Sequence, residues 1–182
     1  MGWIIFGIIL VILLLFIGIY NNLVTLKLRV ENAWAQIDTQ LKRRFDLIPN
    51  LVETVKGYKA YEQETLQKVV EARNMFTNSN DVKGKAEANN ALSESLKTIF
   101  ALAESYPDLK SNQSFENLQT ELASTEDKVA YSRQFYNDSV QMYNAALLTF
   151  PSNIIANMFN FTSKNFFEVT NEAEKQAVKV QF

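Results

Sequence analysis

Neither cysteine nor histidine occurs anywhere in the sequence. Without cysteine there is no disulfide, no thiolate nucleophile, no zinc or iron–sulfur ligation through sulfur and no lipidated cysteine, and redox compartment leaves no trace. Without histidine, Ser-His-Asp and Cys-His catalysis, histidine phosphotransfer and every His-containing metal site are excluded by composition. Glycine (5) and proline (3) are scarce in a chain of 182 residues that is 47% hydrophobic, which leaves room for one membrane segment and one domain with a real core. The formal net charge of −2 supplies no basic field of the kind that attracts nucleic acid, so no nucleic-acid partner is expected.

The remaining routes to chemistry are also thin. Helical di-iron sites need Glu-x-x-His pairs, and here the acids are scattered among lysines. Gly84-Lys85 lacks the preceding glycine and following hydroxyl residue of a phosphate-cradling loop. No catalytic residue, metal ligand or cofactor is expected, and the chain reads as a non-enzyme.

What is present begins with an apolar run. From Trp3 to Tyr20 about 18 consecutive residues are apolar or small and uncharged, long enough for a helix to cross most of a bilayer core. A buried core helix would be the alternative, but it would carry isoleucine and leucine on every side. Only Met1 and Gly2 precede the run, and Ile17-Gly18-Ile19 is a poor cleavage site, so a retained anchor over residues 1–22 is expected. The first cations, Lys27 and Arg29 followed by Lys42-Arg43-Arg44, all lie after the anchor and favour a cytoplasmic domain.

The pattern then turns helical. Leu23, Leu26, Val30, Ala33 or Trp34, Ile37, Leu41, Phe45 and Ile48 recur every three or four residues with no break from the anchor. A helix from Trp3 to Leu47 would run roughly 67 Å. Pro49 forces a corner. Asn50, with Glu53 three residues on, reads as the N-cap of the next helix. Leu51, Val55, Tyr58, Leu66, Val69, Ala72 and Phe76 stripe that helix to about Asn78, and Gly57 weakens its middle.

A third pattern, from about Asp81 to Tyr106, carries Leu92, Leu96, Ile99, Leu102 and Tyr106, and Asp108 to Ser114 reads as a turn. The fourth and longest, from about Ser114 to Phe150, places Phe115, Leu118, Leu122, Thr125, Val129, Ser132, Tyr136, Ser139, Tyr143 and Ala146 or Leu147 on a near-heptad, coiled-coil-like seam. The expected domain is thus 23–151, with helices near 23–48, 50–78, 81–106 and 114–150. Residues 152–182 open with Ile154, Ile155, Met158, Phe159, Phe161, Phe166 and Phe167. That cluster reads as a lid over the bundle, a partner site or a membrane-surface contact. Val178, Val180 and Phe182 alternate with polar residues and suggest a short extended segment.

Two groups of polar residues stand out. Arg43, Arg44, Asp46, Pro49, Asn50 and Glu53 surround the corner, with the cations opposing the negative end of the first helix dipole. They are a solvated corner, an arginine reaching inward to an acid such as Glu104 or Glu121, or a site for an anionic partner. Tyr136-Asn137 and Tyr143-Asn144 repeat at seven residues on one helix face, where buried tyrosine hydroxyls need partners that nearby arginines could provide.

The stretches QLKRRFDLIPNLVETVKGY (Gln40 to Tyr58), EAR (Glu71 to Arg73, hence Arg73) and SRQFYNDSVQMYN (Ser132 to Asn144, hence Arg133), followed by Phe150-Pro151 and preceded by Tyr20-Asn21, resemble the signatures of the bacterial LemA family. Order and spacing agree along nearly the whole chain. The resemblance implies membrane attachment and an up-and-down four-helix bundle, with no established molecular activity. Some relatives carry a lipoprotein signal instead of an anchor, which implies a bundle outside the cytoplasmic membrane and opposes the charge bias.

The expected protein is therefore all-α: a single N-terminal transmembrane helix (Trp3 to Tyr20) continuous with an antiparallel four-helix bundle, held in a bacterial inner membrane. Its partners would be the lipid bilayer and either copies of itself or another membrane protein, with the role of scaffold or adaptor. Binding of a small or anionic ligand at the arginine-rich corner is the alternative.

Overall fold

The computed structural model describes residues 1–57 and 63–168. Tyr58 and the alternating Val178, Val180 and Phe182 lie outside the described residues. Among those described, every regular element is a helix: α1 (Gly2–Asp46), α2 (Ile48–Lys56), α3 (Gln63–Asn78), α4 (Val82–Ala103), α5 (Pro107–Lys110), α6 (Gln113–Leu148) and α7 (Ser152–Met158). The chain divides into two compact units, Met1–Thr39 with Val129–Phe166, and Gln40–Lys128 together with residues 167–168.

In the first unit, α1 starts with no apolar neighbours at all. Trp3 is 90% exposed and the large side chains from Ile4 to Leu15 stand open on every side. Among the described residues this is the one helix long and apolar enough to cross a membrane. From Leu23 onward the same helix has a face: Leu23, Val30, Ala33 and Ile37 are buried, while Leu26 and Trp34 are half-buried. The small Ala33 takes the central position of that face and leaves the larger Trp34 at its edge.

The C-terminal half of α6 runs antiparallel along this face. Arg29 lies over the Phe135 ring at 5.4 Å, and Trp34 meets Tyr136 with centroids 5.6 Å apart. Ser132 and Ser139 are buried on the seam, and the Ser139 hydroxyl donates to the Phe135 carbonyl at 2.8 Å. That bond satisfies a hydroxyl which a close helix contact removes from water.

After a cis Phe150-Pro151 bond, α7 lays Ile155 and Ala156 against Leu23, with Phe16, Ile19, Tyr20, Ala146, Leu147 and Phe161 around them. Of the aromatic segment, read as a lid over the bundle, a partner site or a membrane-surface contact, Ile155 and Phe161 pack along α1 here. The end of α7 is set by Asn160, the one non-glycine residue at positive φ (55°) among those described. The Asn160 N–H donates to the Asn157 carbonyl at 3.3 Å and the Phe161 N–H to the Ala156 carbonyl at 2.9 Å. This is a Schellman cap with asparagine in the left-handed position, which asparagine tolerates better than most residues.

The second unit opens at the expected corner, and there the structure differs. Leu47, between α1 and α2, keeps right-handed helical angles (φ −76°, ψ −19°), and Pro49 falls in the first turn of α2. The Leu47 N–H donates to the Arg44 carbonyl at 3.3 Å and the Leu51 N–H to the Leu47 carbonyl at 3.1 Å. The helical run therefore continues to Lys56 with one joint. In a first turn, proline's missing N–H costs nothing and its φ suits the helix. Asn50 is accordingly inside α2 rather than its N-cap, and no side chain caps α2.

Within the helix expected over 50–78, α2 ends at Lys56 with Gly57 as its C-cap, and α3 starts at Gln63. Ile48, Leu51, Val52 and Val55 of α2, Leu66, Val69, Ala72 and Phe76 of α3, and Ala86, Ala88, Leu92, Leu96 and Ile99 of α4 are buried. Phe45 stacks on Phe76 at 4.2 Å with planes 12° apart, and the Lys85 ammonium lies 5.2 Å from the other partner's ring, that of Phe76.

The expected turn at Asp108–Ser114 contains α5, a single helical turn held by the buried Leu109. The side-chain oxygen of Asn112 then accepts from the Ser114 and Phe115 N–H groups at 2.9 and 3.2 Å, capping α6.

Candidate functional site

Two polar clusters, one in each unit, use the residues that stand out in the sequence. In the second unit the cluster is built on Arg44, which is 2% exposed although it belongs to a run of three cations. The helical period decides this: Arg44 falls beside Leu41, Phe45 and Ile48 on the buried face, while Lys42 and Arg43 point to the surface.

Arg44 Nη1 donates to the Asn89 side-chain oxygen and, at 3.1 Å, to the Ser93 hydroxyl, both on α4. Nη2 pairs with Glu126 of α6. Ser93 Oγ donates onward to Glu126 Oε2 at 3.2 Å, so the guanidinium, hydroxyl and carboxylate form a closed set. Burial pulls the Arg44 pKa down, and Glu126 opposes that shift. Arginine stays charged regardless. Its Nε is buried and has no partner, a local cost of about 1–3 kcal/mol set against the four contacts made by the two terminal nitrogens and Ser93.

The inward acid is thus Glu126. Glu104, one of the expected partners, instead pairs with Lys110 at the surface, and Glu121, the other, is exposed. Arg43, Asp46, Pro49, Asn50, Glu53 and Arg73 are all exposed. Of the corner cations, Arg44 is the buried one, and it turns inward to Asn89, Ser93 and Glu126.

In the first unit the cluster is built on the repeated Tyr-Asn pairs of α6. Tyr136 and Tyr143 are buried, while Asn137, Asn144 and Arg133 are half-buried. The Tyr136 hydroxyl donates to the Asn165 carbonyl at 2.8 Å. The Asn144 side chain grips Lys164 twice: Nδ2 donates to the carbonyl and Oδ1 accepts from the N–H, both at 2.9 Å. The tyrosine partner is therefore backbone of the C-terminal segment rather than an arginine.

Burial raises the pKa of both tyrosines, and nearby Glu31 adds to the rise at Tyr143. Tyr143 also lines a cleft of about 410 Å³ with Tyr20, Lys27, Glu31, Phe159 and Lys164. Among the described residues, no three Asp or Glu side chains gather as a metal-ligand set.

Sequence reasoning missed Asn89, Ser93, Glu126, Lys164 and Asn165. A faint signal existed for Asn89 and Ser93, polar residues four apart on the side of α4 that also carries Leu92 and Leu96. For Lys164 and Asn165 there was none, since only their backbone is used.

The sequence profile of the LemA family matches residues 33–182, which covers all the residues of both clusters apart from the cleft's Tyr20, Lys27 and Glu31. The chain belongs to the LemA family. It is similar to Protein LemA of Metamycoplasma hominis, at 25% identity over 156 residues, covering 85% of this chain and 71% of that protein. It is also similar to magnetosome protein MamQ 2 of Paramagnetospirillum magneticum, at 22% identity over 175 residues (82% of this chain, 64% of that protein). Magnetosome protein MamQ of Magnetospirillum gryphiswaldense gives 22% over 174 residues (81% and 64%). This LemA family member thus spans less than two-thirds of the length of the MamQ proteins it matches.

Proposed function

We propose that this LemA family chain is a single-pass scaffold or adaptor of the bacterial inner membrane, anchored by α1, with its long helices arranged as an antiparallel bundle that offers a face to a membrane protein or to further copies of itself. The observation that carries this reading is the use made of the distinctive polar side chains. Arg44 holds α1 to α4 and α6, and Tyr136 and Asn144 hold the C-terminal segment, so the residues best suited to chemistry are spent on internal register. The bare apolar start of α1 supports the anchor. A helical protein whose distinctive polar side chains are used internally acts through shape and surface.

The test is made on the full chain extracted in mild detergent. A defined oligomer, or a membrane protein that co-purifies after crosslinking in cells, is the expected result. A clean monomer that crosslinks to nothing would contradict a scaffold.

A further inference from the structure

Two boundaries that are unrelated in sequence coincide in space. In α1 no side-chain charge occurs before Lys27, and in the C-terminal part none occurs from Ser139 to Ser163, so that Lys164 is the first charge after Asp138. Lys27 and Lys164 line the same cleft. Next to that cleft, Ala146 and Leu147 at the end of α6 and Ile155 and Ala156 of α7 pack with the last turns of the apolar run, and Phe159 is 6.0 Å from Phe16 and 4.8 Å from Tyr20, centroid to centroid.

Phe16 precedes Lys27 by about 16 Å of helix at 1.5 Å per residue. A helix that carries Phe16 and Tyr20 into a bilayer must bring α7 with it, because Ile155 and Ala156 are buried against Leu23 in one apolar cluster with Phe16 and Ile19.

The outward side of this element suits that position. Leu148 is 81% and Phe150 77% exposed, and Ile154, Met158 and Phe159 are also open. Water would leave that surface uncompensated, whereas the bilayer beside the anchor covers it. The exposed Asn157 and the half-buried Ser152 and Asn153 fit the polar edge of a membrane better than its centre.

From this juxtaposition we infer that the α6–α7 junction is a membrane-interface element: Leu148, Phe150, Ile154 and Met158 insert among lipid chains next to α1, with Lys27 and Lys164 at headgroup level. The inference rests on α1 spanning the bilayer, and it makes the membrane contact a two-part surface, a spanning helix with a short re-entering wedge. The continuity of the exposed apolar surface with the anchor selects lipid over a second copy of the chain as its cover.

The native chain has no cysteine, so single cysteines report without background. Full-length Ile154→Cys, Met158→Cys, Val11→Cys and Tyr131→Cys, the last 76% exposed on α6, are reconstituted in nanodiscs of phosphatidylcholine and phosphatidylglycerol. They are treated with a membrane-impermeant maleimide. In parallel, the same sites are labelled with an environment-sensitive fluorophore before reconstitution and challenged with nitroxide-bearing lipids.

The expected result is that positions 154 and 158 react at least about tenfold more slowly than 131, as position 11 does, and are quenched by shallow nitroxides. Fast reaction at 154 and 158 with position 11 protected would overturn the wedge while leaving the anchor intact. Slow reaction without lipid quenching would overturn it in favour of a protein cover. Fast reaction at position 11 as well would overturn the wedge and the spanning helix together.

Discussion

The Asn144 side chain and the Lys164 backbone form a two-bond ring, each bond 2.9 Å long, in which a side-chain amide takes the place of a neighbouring strand. A carboxamide carries a donor and an acceptor side by side, so one helix position can make both bonds. Together with the Tyr136 bond to the next residue, Asn165, it turns a helix face into a holder for an irregular segment, which otherwise has few backbone partners.

Replacing Asn144 with Ala is expected to remove both bonds and release that segment. The predicted cost is about 1–3 kcal/mol, from two partly buried hydrogen bonds. Asn144→Asp keeps the acceptor but sets a carboxylate against the Lys164 carbonyl, and should be no better. Amide hydrogen exchange at Lys164 is the direct readout. Unchanged protection in Asn144→Ala would show that packing of the segment, not the clasp, holds it.

For the Arg44 cluster the expected order of stability is wild type, then Glu126→Gln, then Arg44→Ala. Glu126 is 46% exposed, so solvent screens its charge and its loss is expected to cost about 1 kcal/mol. Arg44 is sealed, and its truncation opens a cavity and leaves the buried Asn89 oxygen unpaired, for about 3 kcal/mol or more. Thermal unfolding of the full chain in one detergent ranks the two variants. If Glu126→Gln proved the more damaging, the charge pair rather than the buried hydrogen bonds would be the principal tie.

Tyr136 supplies a pH dependence. Burial raises its pKa in the folded chain, so above the usual tyrosine value of about 10 the unfolded chain gives up its proton first. The stability linked to the neutral hydroxyl is complete below that pH and is lost as pH climbs through the raised value. Tyr136→Phe is expected to be less stable at neutral pH by about 1 kcal/mol, through loss of the Asn165 bond, and to lose less on going to alkaline pH. Melting midpoints of the two proteins between about pH 8 and 11 should therefore converge. Parallel curves would place the alkaline loss elsewhere, for example at Tyr143 beside Glu31.

Much of the helical framework was legible because periodicity is a local property. Of the expected stripe in α1, Leu23, Val30, Ala33, Ile37, Leu41 and Phe45 are buried, and the α6 seam buries Phe115, Leu122, Thr125, Val129, Ser132, Tyr136, Ser139 and Tyr143. The joints were less legible. Pro49 announces a break, yet a proline in a first turn and a proline at a corner look the same in sequence. Asn160 could be seen as a cap only once the chain after it was known to turn back.

The amino-acid sequence by itself determined the absence of thiol and imidazole chemistry, the uncharged run that begins α1, and which face of each long helix is apolar. Composition and period are enough for those, because each depends on neighbours a few residues away. Only the tertiary structure decided that Arg44 would meet Asn89, Ser93 and Glu126, that Tyr136 and Asn144 would serve a backbone segment some twenty to thirty residues further on, and that Lys27 and Lys164 would share one cleft. Those pairings depend on how helices are placed side by side, and placement is set by the summed packing of all of them rather than by any one stretch of chain.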